Sequence, residues 1–295
     1  MAWRLEAAGE DLVWFGVKQA VACAFPVGFF LVLGLSRVVS VPGLARYDLV
    51  LLAAVALQST LVAVGFETWR DARVALRFHA LGLALELFKT SPAIGSWSYP
   101  EPAVTKLATV PIYSGFLYAA VASYVLAAWR LLRLRFTRYP GRIPALALAA
   151  AIYANFFTHH WLPDLRWLLM AVTLAVFGRT RVHYTPRATE RWMPLPAAFV
   201  LIGGFVWLAE NLSTFLGAWA YPDQLLTWRT VHLGKITSWS LLVIVTIVIV
   251  GEHMRERGAL ETPLPRRVRG PGWAWLPAFL GGSGRGPRSR SRGSV

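Results

Sequence analysis

Two strings in this sequence set a glutamate ahead of a glycine–aromatic run. The first is Glu86-LFKTSPAI-Gly95-Ser-Trp97-Ser-Tyr99-Pro100-Glu101; the second is Glu210-NLSTFL-Gly217-Ala-Trp219-Ala-Tyr221-Pro222-Asp223. Each glutamate closes an apolar run, ALGLALE or GGFVWLAE. A carboxylate at membrane depth costs roughly 2.5 kcal/mol or more, so it needs a partner or a wet cavity. A carboxylic acid kept protonated by apolar surroundings is a general acid, and Trp and Tyr faces stabilise a passing cation. Glu86 and Glu210 are therefore the candidate catalytic pair, with Trp97, Tyr99, Trp219 and Tyr221 as the substrate-facing aromatics. On an extended segment the alternating Trp and Tyr point the same way. The competing expectation is plainer: aromatics at this level form an interfacial belt.

Other ionisable groups fall near the same depth. Lys89 lies one turn beyond Glu86, and His79 lies two turns before it. His159 and His160 end one apolar segment, and His232 and Lys235 open another. His159, His232, Lys89 and Lys235 complete the expected substrate-binding set. Three of the four lysines, Lys89, Lys106 and Lys235, share this side in a chain that elsewhere prefers arginine. Adjacent histidines on a helix point about 100° apart, so His159 and His160 do not chelate one ion together. With no zinc-type spacing, phosphate loop or dinucleotide fingerprint, no metal and no cofactor are expected.

The elements that must position these residues are apolar segments. Of 295 residues, 56% are hydrophobic and 15% charged, which excludes a soluble globular enzyme. Eight segments read as spans: about 12–35, 48–66, 72–90, 108–129, 144–161, 163–178, 195–214 and 231–250. The third is the least apolar, carrying Arg73, Arg77, His79 and Glu86. Each glutamate string follows the third span of a four-span half, so the halves run parallel about an axis along the membrane normal. The expected fold is an all-α polytopic bundle in residues 1–258, with halves of about 1–138 and 143–258. A Pro/Gly/Arg-rich tail, 259–295, follows and reads as disordered, with a short amphipathic piece at Trp273–Leu280.

The net charge of +15 belongs to the loops. Twenty-two Lys and Arg fall on one set of faces and seven on the other, with Lys18 inside the first span. By the positive-inside rule both termini are cytoplasmic, and both glutamate strings lie on the opposite side. The basic residues therefore read as anchors, and no nucleic acid is expected. The lone Cys23 precludes an intramolecular disulfide, and Glu6, Glu10 and Asp11 beside Arg4 do not read as a secretory signal.

At ELFKTSPAIGSWSYPE, with FETWRDARVALRFHALGLALE before it and ENLSTFLGAWAYPDQ later, the sequence resembles a bacterial family of integral membrane proteins, domain of unknown function family 817. The resemblance covers roughly residues 45 to 255. It implies a multi-pass protein of the bacterial cytoplasmic membrane and no particular activity. The repeated Glu followed by Gly-x-Trp-x-Tyr is also similar in style to membrane carotenoid cyclases and hydratases. For Glu86 and Glu210 that likeness implies protonation of a polyene; the acid-pair strings of the cyclases are absent. Three functions stay open: an intramembrane enzyme on a lipophilic, isoprenoid-like substrate, a small proton- or cation-coupled transporter, and a non-catalytic scaffold or sensor. The expected partner is the bilayer; a lipophilic small molecule and further copies of the chain stay open.

Overall fold

The computed structural model describes residues 2–263, with side chains from Gly9 onward. The tail from 264, including Trp273–Leu280, lies outside the described residues, as do the side chains of Arg4 and Glu6. The chain is mostly helical: α1 Ala2–Ala22, α2 Ala24–Leu35, α3 Arg46–Ala63, α4 Trp69–Lys89, α5 Gly115–Leu131, α6 Arg142–Thr158, α7 Arg166–Phe177, α8 Leu195–Phe215 and α9 Lys235–Glu256. A helix, or a helix pair, stands at each of the eight apolar segments. Four have the length and apolarity to cross a membrane: α3, α8, α9 and the run Ile112–Leu131 containing α5. The α1–α2 pair makes a fifth if it is counted as one broken span.

The first segment does not run straight. Its two parts meet at an angle of 57° around Cys23. Pro26 explains the bend, because it lacks an amide N–H and its ring excludes the carbonyl one turn earlier, at Ala22. Helices α6 and α7, at 17 and 12 residues, are apolar but short. Helix α4 has the length but carries Arg70, Asp71, Arg73, Arg77, Glu86 and Lys89. Its start is fixed by a reciprocal cap, in which the Asp71 amide donates to the Thr68 hydroxyl and the Thr68 amide donates to Asp71 Oδ2.

Packing runs in antiparallel pairs, with α4 against α5 and α8 against α9. Glycines set the approach. A Cβ on Gly82 of α4 would stand 2.3 Å from the Tyr118 ring of α5, and one on Gly203 of α8 would stand 2.8 Å from the backbone nitrogen of Ser240 in α9. Small residues at such crossings let helices approach where no water-driven force assists them. One core joins α5 to α9 around Trp129, Phe136, Phe177 and Phe199; another joins α2 and α3 to the segments carrying Tyr99 and Trp219.

The Arg-rich loops hold structure that the sequence reading treated as anchors alone. Strands β3 Arg135–Thr137, β4 Arg181–Tyr184 and β5 Arg191–Pro194 form an antiparallel sheet, with Phe136 opposite Val182 and Val182 opposite Met193. A two-residue hairpin, β1 Lys106–Leu107 and β2 Val110–Pro111, precedes α5. It is held by Asp48 of α3, which accepts the amides of Val104 and Thr105 at 2.9 Å each.

Candidate functional site

Glu86 is buried in the last turn of α4, 4% exposed. The indole of Trp97 donates to its Oε2 at 2.7 Å, and the Tyr99 hydroxyl donates to the same oxygen at 2.8 Å. The Tyr118 hydroxyl, from α5, donates to Oε1 at 2.7 Å. Trp97 and Tyr99 reach one acceptor because the segment between them is extended, as their alternation requires. Both donate inward, to Glu86.

Glu210, near the end of α8, is 2% exposed. The Tyr221 hydroxyl donates to its Oε1 at 2.5 Å, and the Trp239 indole, from α9, donates to its Oε2 at 2.7 Å. Tyr99 and Tyr221 thus do the same work in the two strings. Burial, and then the carboxylate beside each, holds both phenols well above their ordinary value, so each keeps the proton that it donates.

The two strings meet each other. The Ser98 amide donates to the Ala220 carbonyl at 2.9 Å, and the Ala220 amide donates to the Ser98 carbonyl at 3.0 Å. These are the same position in each string, between the Trp and the Tyr. The Trp97 and Tyr221 rings meet edge to face, with centroids 6.1 Å apart. The Lys235 ammonium, at the first position of α9, lies 4.6 Å from the Tyr221 ring centre and 5.7 Å from that of Trp97. It is in direct ion-pair contact with neither carboxylate, but the two rings it stands over each donate a hydrogen bond to one of them. An ammonium over two aromatic faces is attracted by the ring quadrupoles.

The rest of the expected set divides. Trp219 is buried beside Tyr221, and its place at the second glutamate is taken by Trp239. Lys89 does not turn back to Glu86: its ammonium lies 2.8 Å from Nε2 of His160 and 3.3 Å from Nε2 of His159. The two imidazoles converge, with centroids 4.2 Å apart, because α6 ends at Thr158 and helical spacing no longer separates them. His79 packs edge to face on Phe116, away from Glu86. His232 is exposed and accepts the Gly234 amide through Nδ1, so it is not brought to the carboxylates. Two donors were missed, Tyr118 and Trp239. They follow Pro100 and Pro222 by 18 and 17 residues, a matched spacing that extends the repeated string into the next helix.

Both glycines of the strings have left-handed backbone, φ +57° at Gly95 and +65° at Gly217, where a side chain is strained. Their surroundings differ. A Cβ on Gly95 would meet open space, whereas one on Gly217 would collide with the Arg37 guanidinium. Arg37 and Arg46 both donate to the Leu216 carbonyl, at 2.8 and 2.7 Å, and Arg46 also donates to the Gly217 carbonyl at 3.0 Å. Arg46 pairs with Glu101 at 2.6 Å, so the acid closing the first string tethers the end of the helix leading into the second. Gly95→Ala is expected to cost about 1 kcal/mol of left-handed strain. Gly217→Ala adds loss of the Arg37 contact and should lower the thermal midpoint in detergent at least twice as far. Equal shifts would refute the tether.

Helices of this length and apolarity, with ionisable groups held inside them, define a multi-helix protein built for a membrane. The chain belongs to the family described as Protein of unknown function (DUF817), whose pattern matches residues 11–247 and so takes in the bent first segment. It is similar to "Uncharacterized protein YoaT" of Bacillus subtilis (strain 168), with 48% identity over 241 residues, or 82% of this chain and 90% of that one. No solved structure matches it.

Proposed function

We propose that the protein is a small proton- or cation-coupled carrier of the bacterial cytoplasmic membrane. Eight crossings, in two parallel four-span halves with both termini cytoplasmic, place Glu86, Glu210 and Lys235 at its exchange site. The single observation that carries this reading is that the Lys235 ammonium stands over Trp97 and Tyr221, the rings that donate to Glu86 and Glu210, one from each matched string. The mutual pairing of Ser98 and Ala220 supports the two-half arrangement, because a pseudo-two-fold axis brings equivalent positions together. Lys235 is a tethered cation over the rings that bind the two carboxylates, and an incoming cation or a proton on Glu210 competes with it.

The lipophilic-substrate enzyme is less well supported by the same atoms. Each glutamate accepts from an indole N–H, which only donates, so each has an oxygen committed as acceptor. Glu86 accepts two further hydroxyls, so both of its oxygens are engaged by side chains of the protein and neither is left open toward a substrate. Nothing in the geometry favours the scaffold reading over either.

The carrier is tested in proteoliposomes containing a pH-sensitive dye, with an imposed pH gradient and pulses of sodium, potassium or ethylammonium ion. At least one pulse should discharge the gradient about ten-fold faster than in empty vesicles. Glu210→Gln and Lys235→Met should abolish the discharge while eluting as the wild type on size exclusion. No discharge by any of the three ions, or full discharge in both variants, overturns the proposal.

A further inference from the structure

On the opposite, Arg-rich end of the molecule a cavity of about 300 Å³ opens beside the three-stranded sheet, lined by Arg138, Arg179, Thr180, Arg181, Trp192 and Pro194. No carboxylate lines it. Among the described residues, none lies within ion-pair distance of Arg138, Arg179 or Arg181, although the neighbouring sheet arginines are paired, Arg135 with Glu190 and Arg191 with Asp11. Three like charges around one cavity repel one another, and an anion between them relieves that repulsion.

Two carbonyls in the last turn of α7, at Leu174 and Phe177, accept the amides of Gly178 and Thr180, and among the described residues none of the three arginines caps that turn. Arg138 is instead held at some cost, with left-handed backbone (φ +56°) and its carbonyl accepting the Thr180 hydroxyl at 3.0 Å. A non-glycine residue in that region is a strain that the fold has to maintain. The Arg181 guanidinium stands over the exposed Trp192 ring, 4.1 Å from its centre, which holds a long side chain without neutralising it. A planar guanidinium so placed suits phosphate oxygens.

Apolar surface next to the cavity favours one source of phosphate over another. Leu174, one turn back along α7, is 59% exposed, and Val200 and Leu201, two turns along α8, are 51% and 56% exposed. Trp192 itself is the kind of ring that sits at headgroup level. We infer that this cavity is a binding site for the phosphodiester headgroup of an anionic phospholipid, whose acyl chains lie along the exposed faces of α7 and α8. A free phosphate ion would satisfy the arginines but make no use of the apolar helix surface that begins beside them. The site is independent of the carrier reading.

Native mass spectrometry of the full-length protein in mild detergent tests it, with titrations of dioleoyl phosphatidylglycerol, dioleoyl phosphatidylcholine and inorganic phosphate at constant ionic strength. Each basic residue at an anionic lipid is worth about five-fold in affinity, so the triple variant Arg138→Gln/Arg179→Gln/Arg181→Gln should bind phosphatidylglycerol roughly 100-fold more weakly. Arg181→Gln alone, which leaves the strained turn untouched, should lose about five-fold. Phosphatidylcholine should show no such dependence on either variant. Equal binding of the two lipids, or phosphatidylglycerol binding unchanged in the variants, overturns the assignment. Competition by inorganic phosphate as effective as by phosphatidylglycerol would make the site one for free phosphate and overturn the lipid assignment.

Discussion

Glu86→Ala should leave too little folded protein to give a single peak on size exclusion, whereas Glu86→Gln should purify normally. The alanine removes the acceptor of three buried donors, Trp97, Tyr99 and Tyr118. Each orphaned donor costs about 1–3 kcal/mol, so the loss is about 3–9 kcal/mol, a large part of a typical total stability of roughly 5–15 kcal/mol. Glutamine keeps one carbonyl oxygen for the Trp97 indole and the Tyr99 hydroxyl, both of which bind Oε2. Its NH2 group takes the place of Oε1 and donates to the Tyr118 oxygen once that hydroxyl turns. Glutamine therefore preserves the packing and removes only the charge beside Lys235. The expected signature is a folded Gln variant without ion-driven discharge and an Ala variant without fold. Comparable thermal midpoints for Ala and Gln would mean that the three donors find other partners and do not depend on Glu86.

The carboxylates and their aromatics were legible because the string occurs twice and its tyrosines alternate with tryptophans on an extended segment. What the string could not convey is which donor each glutamate takes from outside it. Tyr118 and Trp239 lie on the helices packed against Glu86 and Glu210, and only the α4–α5 and α8–α9 crossings bring them there. Trp219 shows the same limit from the other side: it matches Trp97 by position, yet Glu210 takes its indole from α9. The angle between the two histidines differs for a local reason, since helical spacing was carried over residues 159 and 160, both past the end of α6. The sheet escaped notice because RFT, RVHY and RWMP are too short for an alternating pattern to stand out among arginines.

Asp71→Ala should be nearly as damaging as Glu86→Ala, from the far end of the same helix pair. Asp71 is 1% exposed; its Oδ2 accepts the Thr68 hydroxyl at 2.7 Å and pairs with Arg130 of α5 at 2.6 Å. Removing one partner of a buried pair costs about 3–5 kcal/mol, because the other charge stays behind without it. The lost cap at the start of α4 adds about 1 kcal/mol. Asp71→Asn keeps an oxygen for Thr68 and should cost roughly half as much. In thermal or denaturant unfolding, Asp71→Asn combined with Arg130→Met should be less destabilising than the two single changes together, since both single changes lose the same contact. Simple additivity would mean that the pair contributes nothing beyond its separate residues. The consequence reaches the candidate site through register. In the antiparallel α4–α5 pair, Asp71 meets Arg130 at one end and Glu86 meets Tyr118 at the other, 15 residues along α4 and 12 along α5. At about 1.5 Å per residue these are separations of about 22 and 18 Å, so the two contacts pin the same crossing at both ends. Loosening the Asp71 end lets α5 slide, and a slide of one residue moves the Tyr118 hydroxyl out of reach of Glu86. Asp71→Asn should therefore weaken ion-driven discharge several-fold although it lies far from Lys235, and undiminished discharge in that variant would show that register is held elsewhere.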